Sequence, residues 1–285
     1  MKACVARRSF LRNIIGERRH AFMRILEMNV KLTRLGRNRR IRVLLPDSYE
    51  SDSRRYPVLY MHDGQNIFTI DVFGGGGWHV HEEVRRSGAD VLVVAIDNNP
   101  DGDGTARYRE YCPWRSPKTV NRKLGIGEQE AIGGEGWGYL ASIVEDVKPL
   151  IDQTFRTDPG DSAMAGSSAG GLISLCAACR YPHVFKRAAS LSGAFWLAQE
   201  DTEKLAEESD LSILERLYLD IGTEEVTGAF TAGNYLTSNR AVNGLLAEKG
   251  TDHRYLEIEG GTHNESDWRA RFADVLKYLY DEQGE

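Results

Sequence analysis

The stretch Asp161-Ser-Ala-Met-Ala-Gly-Ser-Ser-Ala-Gly-Gly-Leu172 decides the fold. Its first five residues have the composition of a short buried strand. Apolar residues then recur at helical spacing from Leu172 until Pro182 ends the pattern. Between them lies Gly166-x-Ser168-x-Gly170, the pattern of a sharp turn with a serine at its apex. The stretch therefore predicts a strand, a tight turn and a helix, with Ser168 as the candidate nucleophile.

This stretch allows two other interpretations. Ser167 is the neighbouring hydroxyl, but it occupies an x position of the motif, so Ser168 is preferred. An ordinary Gly/Ser turn is the simpler alternative, because small residues make chance matches common. The helix that follows would point its first amides at a forming oxyanion, which favours a catalytic turn.

The composition describes an ordinary globular chain. It has 285 residues, 41% hydrophobic and 27% charged, with a net charge of −6, which suits one large α/β domain. No apolar run approaches the roughly 20 residues of a membrane span, so no membrane partner is predicted. Residues 1–42 carry 13 Lys or Arg against Glu17 and Glu27. A solvated strand face after a tail is preferred here over a nucleic-acid surface, and no nucleic-acid partner is predicted.

The amino terminus and the cysteines indicate where in the cell the protein is expected. Residues 1–22 lack the apolar core of a secretory signal and are predicted to be a basic, disordered tail. Cys176-Ala-Ala-Cys179 lies on an apolar helix face, so packing is preferred over a redox or zinc motif. Four cysteines do not make a disulfide framework at this length, and a reducing, cytoplasmic location is expected.

Strand and helix patterns alternate along the chain after an initial hairpin over residues 28–45. Continuous apolar runs, typical of parallel strands covered on both faces, occur at 57–61 and 91–96, and further strands are predicted over 187–191, 216–221 and 254–258. Helical spacing occurs over 78–86, 139–155, 238–249 and the last residues of the chain. This order predicts a mostly parallel, doubly wound sheet with helices on both faces. The polar stretch 98–135 is predicted to be a long loop that borders the site.

The partners of Ser168 are predicted from chain order, which in α/β-hydrolases is serine, acid, histidine. Three histidines follow the serine: His183, His253 and His263. The first follows Pro182 and the second begins a strand, so both are interpreted as structural. His263 lies in a glycine-rich segment between the last strand and the last helix, where the base is expected.

The acid should follow the preceding strand, where Gly222-Thr-Glu-Glu225 stands. Glu225 is preferred, while Glu224 and Asp220 remain alternatives. If both glutamates are solvated, Ser168 and His263 would act as a dyad.

Two backbone amides are predicted to form the oxyanion hole. One belongs to Ala169, directly after the nucleophile, and the other to Gln65 in His62-Asp-Gly-Gln-Asn66. An alternative interpretation is a metal site formed by His62 and Asp63 with His79 and His81. A charged helix start explains the second pair, so no metal is predicted. Candidate substrate-binding residues in loops beside the site are Trp78, Arg107, Trp137 and Trp196, although each tryptophan could instead fill a loop core.

The chain resembles the putative esterase (esterase D-like) family of α/β-hydrolases, related to enterochelin, feruloyl and acetyl-xylan esterases. The resemblance covers about residues 25–280, in the segments Tyr60-Met-His-Asp-Gly-Gln-Asn-Ile-Phe68, Gly76-Gly-Trp78, Arg107-Tyr-Arg-Glu-Tyr111, Lys148-Pro-Leu-Ile-Asp152, Ala165-Gly-Ser-Ser-Ala-Gly-Gly171, Leu191-Ser-Gly-Ala-Phe-Trp196 and Gly261-Thr-His263. It implies Ser168 as nucleophile, His263 as base, and Gln65 and Ala169 as oxyanion amides. A Glu pair stands where many relatives have Asp, and the resemblance names no substrate.

Residues 23–285 are therefore predicted to form a single α/β-hydrolase catalytic domain. The predicted activity is that of a serine carboxylic-ester hydrolase without cofactor. It would cleave a small-molecule ester of a short or aromatic acyl group through an acyl-enzyme. Acyl transfer to a sugar or other alcohol, and a non-catalytic binding module, remain alternatives, and a homo-oligomer is compatible with the sequence.

Overall fold

The computed structural model describes residues 14–20, 23–68, 76–100, 105–125 and 132–281. Its strands are β1 (Ile14–His20), β2 (Met23–Leu32), β3 (Arg37–Leu45), β4 (Tyr56–Met61), β5 (Leu92–Ile96), β6 (Thr157–Ser167), β7 (Arg187–Leu191), β8 (Arg216–Gly222) and β9 (Arg254–Ile258). They form one sheet in the order β1-β2-β3-β5-β4-β6-β7-β8-β9. The pairs from β1 to β5 in this order are antiparallel, and those from β5 to β9 are parallel. The predicted mostly parallel sheet is confirmed.

Helices cover both faces of the sheet. They are α1 (Val80–Ser87), α2 (Thr105–Tyr111), α3 (Lys118–Lys123), α4 (Gly136–Ser142), α5 (Lys148–Thr154), α6 (Ala169–Arg180), α7 (Gln199–Glu208), α8 (Ala232–Glu248) and α9 (Glu265–Tyr280), with a π-helical turn, Ile143–Val147, between α4 and α5. Alternate β4 residues enter two separate cores: Val58 and Tyr60 belong to the core that includes residues of α6 and α8, and Leu59 and Met61 to the core that includes residues of α9. This two-residue period is what a strand covered on both faces requires.

The amino-terminal strand differs from the disordered tail predicted for residues 1–22. Residues 14–20 form β1, which pairs antiparallel with β2 from His20 opposite Met23 to Ile14 opposite Met28. The edge of β2 would otherwise present unpaired N–H and C=O groups, and an added strand satisfies them. The rest of the predicted tail, residues 1–13 and 21–22, lies outside the described residues.

The stretch 98–135 also differs from its prediction, because it contains α2 and α3 rather than one long loop. One of its charged residues is paired with β3: the buried carboxylate of Glu110 accepts hydrogen bonds from Arg39 at 2.6 Å and from Arg37 at 3.0 Å. Pairing lets charged side chains enter a packed region, so a polar composition did not mark a loop here. Residues 101–104 and 126–131 lie outside the described part of the stretch.

The cysteine pair of α6 is buried, as predicted. Cys176 and Cys179 are both free thiols packed in the core. Burial raises the pKa of the Cys179 thiol to about 11, which keeps it in the unreactive protonated form. Among the described residues, no helix is long and apolar enough to cross a membrane.

Candidate active site

Ser168 occupies the turn between β6 and α6 with φ 58° and ψ −124°, a backbone region that a non-glycine residue adopts only under strain. Its N–H donates to the Leu191 carbonyl at 2.9 Å, and its carbonyl accepts from the Ala194 N–H at 3.0 Å. A Cβ on Gly166 would lie 2.8 Å from the Gly170 backbone. Glycine at position 166 is therefore required by the close passage of the chain, and a Cβ on Gly170 would come within 3.3 Å of the His62 Cβ.

Glu225 and His263 meet in the structure. Nδ1 of His263 lies 2.5 Å from Oε2 of Glu225, whose side chain is fully buried. The other carboxylate oxygen accepts from the Ser192 hydroxyl at 2.5 Å and from the Gly222 N–H at 3.0 Å. A carboxylate at Nδ1 holds the imidazole with its proton on that nitrogen and leaves a lone pair on Nε2. His263 can therefore accept a proton at Nε2.

The two other acid candidates have different environments. Glu224 is exposed. Asp220 is buried and forms a two-point ion pair with Arg271, at 2.7 Å and 2.9 Å, and accepts a hydrogen bond from Tyr218 at 2.9 Å. Its charge is therefore balanced by arginine rather than by the histidine.

Contacts between the loops after β8 and β9 bring acid and base together. The Glu224 N–H donates to the Gly261 carbonyl at 2.9 Å, and the Gly260 N–H donates to the Thr223 hydroxyl at 2.8 Å. A Cβ on Gly222 would lie 2.2 Å from the Gly261 carbonyl oxygen, so only glycine allows this approach. The two loops can thus approach closely because small residues precede each functional side chain: Gly222 and Thr223 before the acid, and Gly260 and Gly261 before the base.

Three surrounding residues were not predicted from the sequence. Ser192, in the left-handed region at φ 49°, supports Glu225 and accepts a hydrogen bond from Trp268 Nε1 at 2.8 Å. The rings of Tyr235 and Trp268 pack against the imidazole of His263, each with its centroid 5.0 Å away. The Tyr235 hydroxyl lies 3.5 Å from His263 Nε2. These aromatic walls restrict the rotation of the histidine.

The two predicted oxyanion amides lie at the ends of neighbouring parallel strands, β4 and β6. Ala169 begins α6, so its N–H has no partner within the helix. Gln65 lies in a short 3₁₀ turn, Gly64–Asn66, that follows β4, and its side-chain oxygen accepts from the Asn98 N–H at 3.0 Å. Both amides therefore lie just beyond the carboxyl ends of two neighbouring parallel strands.

Comparison with known proteins gives the same assignment as the fold. Residues 33–279 match a family model described as "Putative esterase". The chain belongs to this esterase family. It is an α/β-hydrolase and an enzyme that hydrolyses esters, and esters of small molecules are the substrates of such enzymes.

Three similar proteins illustrate the relationship. Uncharacterized protein YbbA of Bacillus subtilis is 30% identical over 253 residues, which are 85% of this chain and 93% of that protein. Ferri-bacillibactin esterase BesA of the same species is 27% identical over 141 residues, 46% of this chain and 45% of that protein. The solved structure of an IroE-like serine hydrolase from Shewanella oneidensis has a TM-score of 0.72 at 19% identity. The match covers 92% of this chain and 82% of the hydrolase chain.

Arg107 of the esterase, a predicted substrate-binding residue, is engaged with Asp63. Its Nε and Nη2 each donate to a carboxylate oxygen of Asp63 at 2.7 Å. Burial alone would raise the pKa of Asp63, but the guanidinium and the Asn98 amide hold that pKa below its usual value. Because Asp63 precedes the turn of Gln65 with a left-handed backbone, φ 56°, the pair fixes the turn rather than a substrate.

Two of the tryptophans predicted to bind substrate, Trp78 and Trp137, pack against other parts of the protein. Trp78 is 2% exposed and packs on Trp268 and Phe272 in the core, so it offers no surface to a substrate. Trp137 packs on Trp114 and beneath the Arg180 guanidinium, 5.8 Å away. Arg180 ends the 12-residue helix α6, about 18 Å along the axis from the serine end. Trp78 therefore belongs to the core that includes α9, and Trp137, on α4, packs beside the last residue of α6.

Trp196 is the predicted tryptophan that lines a cavity. Its ring stacks on Phe230 with centroids 3.7 Å apart and meets Tyr235 edge-on at 5.6 Å. The cavity measures 370 Å³ and lies among α3, α7 and α8, lined by Thr119, Val120, Lys123, Trp196, Gln199, Glu203, Phe230, Asn234, Thr237, Ser238 and Ala241. Its size falls in the range of small-molecule sites.

His62 and Asp63 do not join His79 and His81 in a common cluster. His62 is buried, and its Nδ1 lies 2.9 Å from the Tyr139 hydroxyl, while Asp63 is paired with Arg107. Burial lowers the pKa of His62 to about 3, with Asp63 opposing and Arg107 adding to the shift. His62 and Asp63 therefore do not form a metal site with His79 and His81.

Proposed function

We propose that Ser168 is the nucleophile, His263 the general base and Glu225 the acid of this esterase. The observation that carries the proposal is the 2.5 Å contact between His263 Nδ1 and Glu225, on loops that follow β8 and β9. The serine stands on the turn after β6, so the three side chains follow the ends of β6, β8 and β9 in the order that α/β-hydrolases use.

The proposed reaction proceeds through an acyl-enzyme. Nε2 of His263 takes the Ser168 proton as Oγ attacks the ester carbonyl carbon, and the imidazolium is stabilised by Glu225. The N–H groups of Gln65 and Ala169 donate to the oxyanion, each worth about 3–4 kcal/mol of the barrier. The proton then passes to the departing alcohol, and a water deprotonated by His263 releases the acid.

The acyl group is proposed to be short or aromatic. An aromatic series runs from His263 to Tyr235 and on to Trp196 and Phe230. The 370 Å³ cavity at its end exceeds the roughly 150 Å³ that encloses a benzene molecule. Polar side chains of α3, α7 and α8 complete its wall, which suits an aryl group with polar substituents. BesA, a relative of this chain, is named for hydrolysis of ferri-bacillibactin, so that ester belongs among the test substrates.

Labelling with a fluorophosphonate tests the nucleophile. We expect one adduct by intact mass in the wild type and in Ser167→Ala, and none in Ser168→Ala. Labelling of Ser168→Ala would refute the assignment. Hydrolysis rates on acetyl, butyryl, feruloyl and ferri-bacillibactin esters then rank the acyl groups, and an added acceptor alcohol reveals any transfer to sugars or other alcohols.

A further inference from the structure

A cluster of potential metal ligands lies at the start of α1, among residues that the proposed reaction does not use. Within the described ranges, His79, His81 and Glu82 form one group whose ligand atoms all lie within 4.8 Å of one another. Nδ1 of His79 lies 3.5 Å from Oε1 of Glu82, and Nε2 of His81 lies 3.6 Å from the same oxygen.

These separations match a tetrahedral metal site. Zinc binds histidine nitrogen and carboxylate oxygen at about 2.0–2.2 Å, which places neighbouring tetrahedral ligands roughly 3.4 Å apart. Two of the three ligand pairs are therefore within a few tenths of an ångström of that spacing. A pair of imidazoles with one carboxylate is a ligand set that zinc accepts, with a fourth position left for water.

The hydrogen bond of His79 prepares it for this role. Its Nε2 lies 3.1 Å from the Gly76 carbonyl oxygen, which can only accept, so Nε2 carries the proton. Nδ1 then presents its lone pair on the side of Glu82. A metal-bound histidine in proteins donates its second N–H to a carbonyl or carboxylate in the same way.

The backbone brings the two histidines together. Residues two apart do not face one another on a helix. His79, however, precedes α1 in the left-handed region, at φ 48°, and its ring centroid lies 5.8 Å from that of His81. The sequence pattern alone could not show this, because helical spacing would separate the two side chains.

We propose that His79, His81 and Glu82 bind a divalent transition-metal ion, with Zn²⁺ as the preferred ion. The site lies beside the turn that carries Gln65, because the Val80 N–H donates at 3.0 Å to the carbonyl of Ile67, the residue just after that turn. A bound ion stabilises this segment beside the turn. None of the three ligands belongs to the proposed catalytic set, so ester hydrolysis does not require the ion.

Cobalt(II) titration of the full, tag-free chain after chelator treatment tests the site. We expect the intense visible absorption of tetrahedral cobalt(II), abolished by one equivalent of Zn²⁺. The band should be lost in His79→Ala, His81→Ala and Glu82→Gln. It should persist in the matched control His183→Ala, which removes an exposed histidine elsewhere.

Thermal unfolding provides the second readout. Zn²⁺ at about 100 times its Kd should raise the wild-type Tm by roughly 5 °C and leave the Tm of His79→Ala unchanged. The proposal is overturned if the wild type shows neither band nor shift, or if the three variants bind as the wild type does. Ser168→Ala should keep the band while losing hydrolysis, which separates this site from the proposed catalytic one.

Discussion

The hydroxyl of Ser192 lies 2.5 Å from Oε1 of Glu225, the carboxylate oxygen that His263 does not contact. The same hydroxyl accepts hydrogen bonds from Trp268 at 2.8 Å and from Arg271 at 3.2 Å. It can donate its single proton only once, and its two acceptor positions are filled, so the proton goes to the carboxylate. Glu225 is thereby held with its other carboxylate oxygen directed at the histidine.

Replacing Ser192 by alanine tests this support. The hydrogen bond of a hydroxyl to a charged group is worth about 1.5–3 kcal/mol, so kcat should fall by at least roughly tenfold, with a smaller change in KM. Steady-state kinetics measures both values. Ser190→Ala, two residues earlier on β7 and equally buried, is the matched control and should keep most of the activity. Equal losses in the two variants would contradict a specific role for Ser192.

Exchanging each acidic residue for its amide separates the acid candidates. Glu225→Gln keeps the shape of the side chain but cannot stabilise the imidazolium, so kcat should fall on the order of 10⁴-fold. Glu224→Gln changes an exposed side chain and should be nearly normal. The kinetics of both variants on one activated ester measure the difference, and comparable rates in the two would leave Ser168 and His263 as a dyad.

The core of this site could be predicted from the sequence for a steric reason. Ser168 is marked by Gly166, which the close passage of the chain requires, and by Gly170, and His263 and Glu225 follow from the order of strand ends. Such features are local, or depend on topology alone. They need no knowledge of which side chains pack together.

Residues whose roles depend on tertiary partners could not be predicted in this way. Trp78 stands beside glycines in a loop, as a pocket residue would, yet it packs on Trp268, which lies far away in the sequence. Arg107 finds its carboxylate in Asp63. Ser192 owes its function to a left-handed backbone that the sequence does not mark with glycine. For each of these residues, the deciding contact comes from another element of the fold.

Trp196 should affect the choice of acyl group. Replacing it by alanine removes the ring that stacks on Phe230 in the wall of the cavity. Aromatic contacts of this kind contribute about 0.5–1.5 kcal/mol beyond the area that they bury. We expect kcat/KM for a feruloyl ester to fall at least threefold more than for an acetyl ester, measured in parallel. Trp137→Ala, on α4 beside the last residue of α6, should leave the ratio of the two kcat/KM values unchanged. A proportional loss on both substrates in Trp196→Ala would place the acyl group elsewhere.

His62 should make the stability of the protein dependent on pH in acid. Its pKa is lowered to about 3 in the folded state, chiefly by burial, whereas an unfolded histidine titrates near its ordinary value of about 6.5. Between these two values the unfolded chain binds a proton that the folded chain does not. The stabilisation is therefore complete above about pH 6.5 and is lost as the pH falls toward 3, by at most about 1.4 kcal/mol per pH unit.

The variant His62→Gln removes this titration while keeping a polar side chain near the Tyr139 hydroxyl. Free energies of unfolding from urea titrations at several pH values between 4 and 7 should show a shallower slope in His62→Gln than in the wild type, by close to one proton. His183→Gln, at an exposed histidine, should keep the wild-type slope. Because the wild type and His62→Gln share every other titrating group, the difference between their slopes isolates His62, and parallel curves for these two proteins would show that His62 is protonated in the fold.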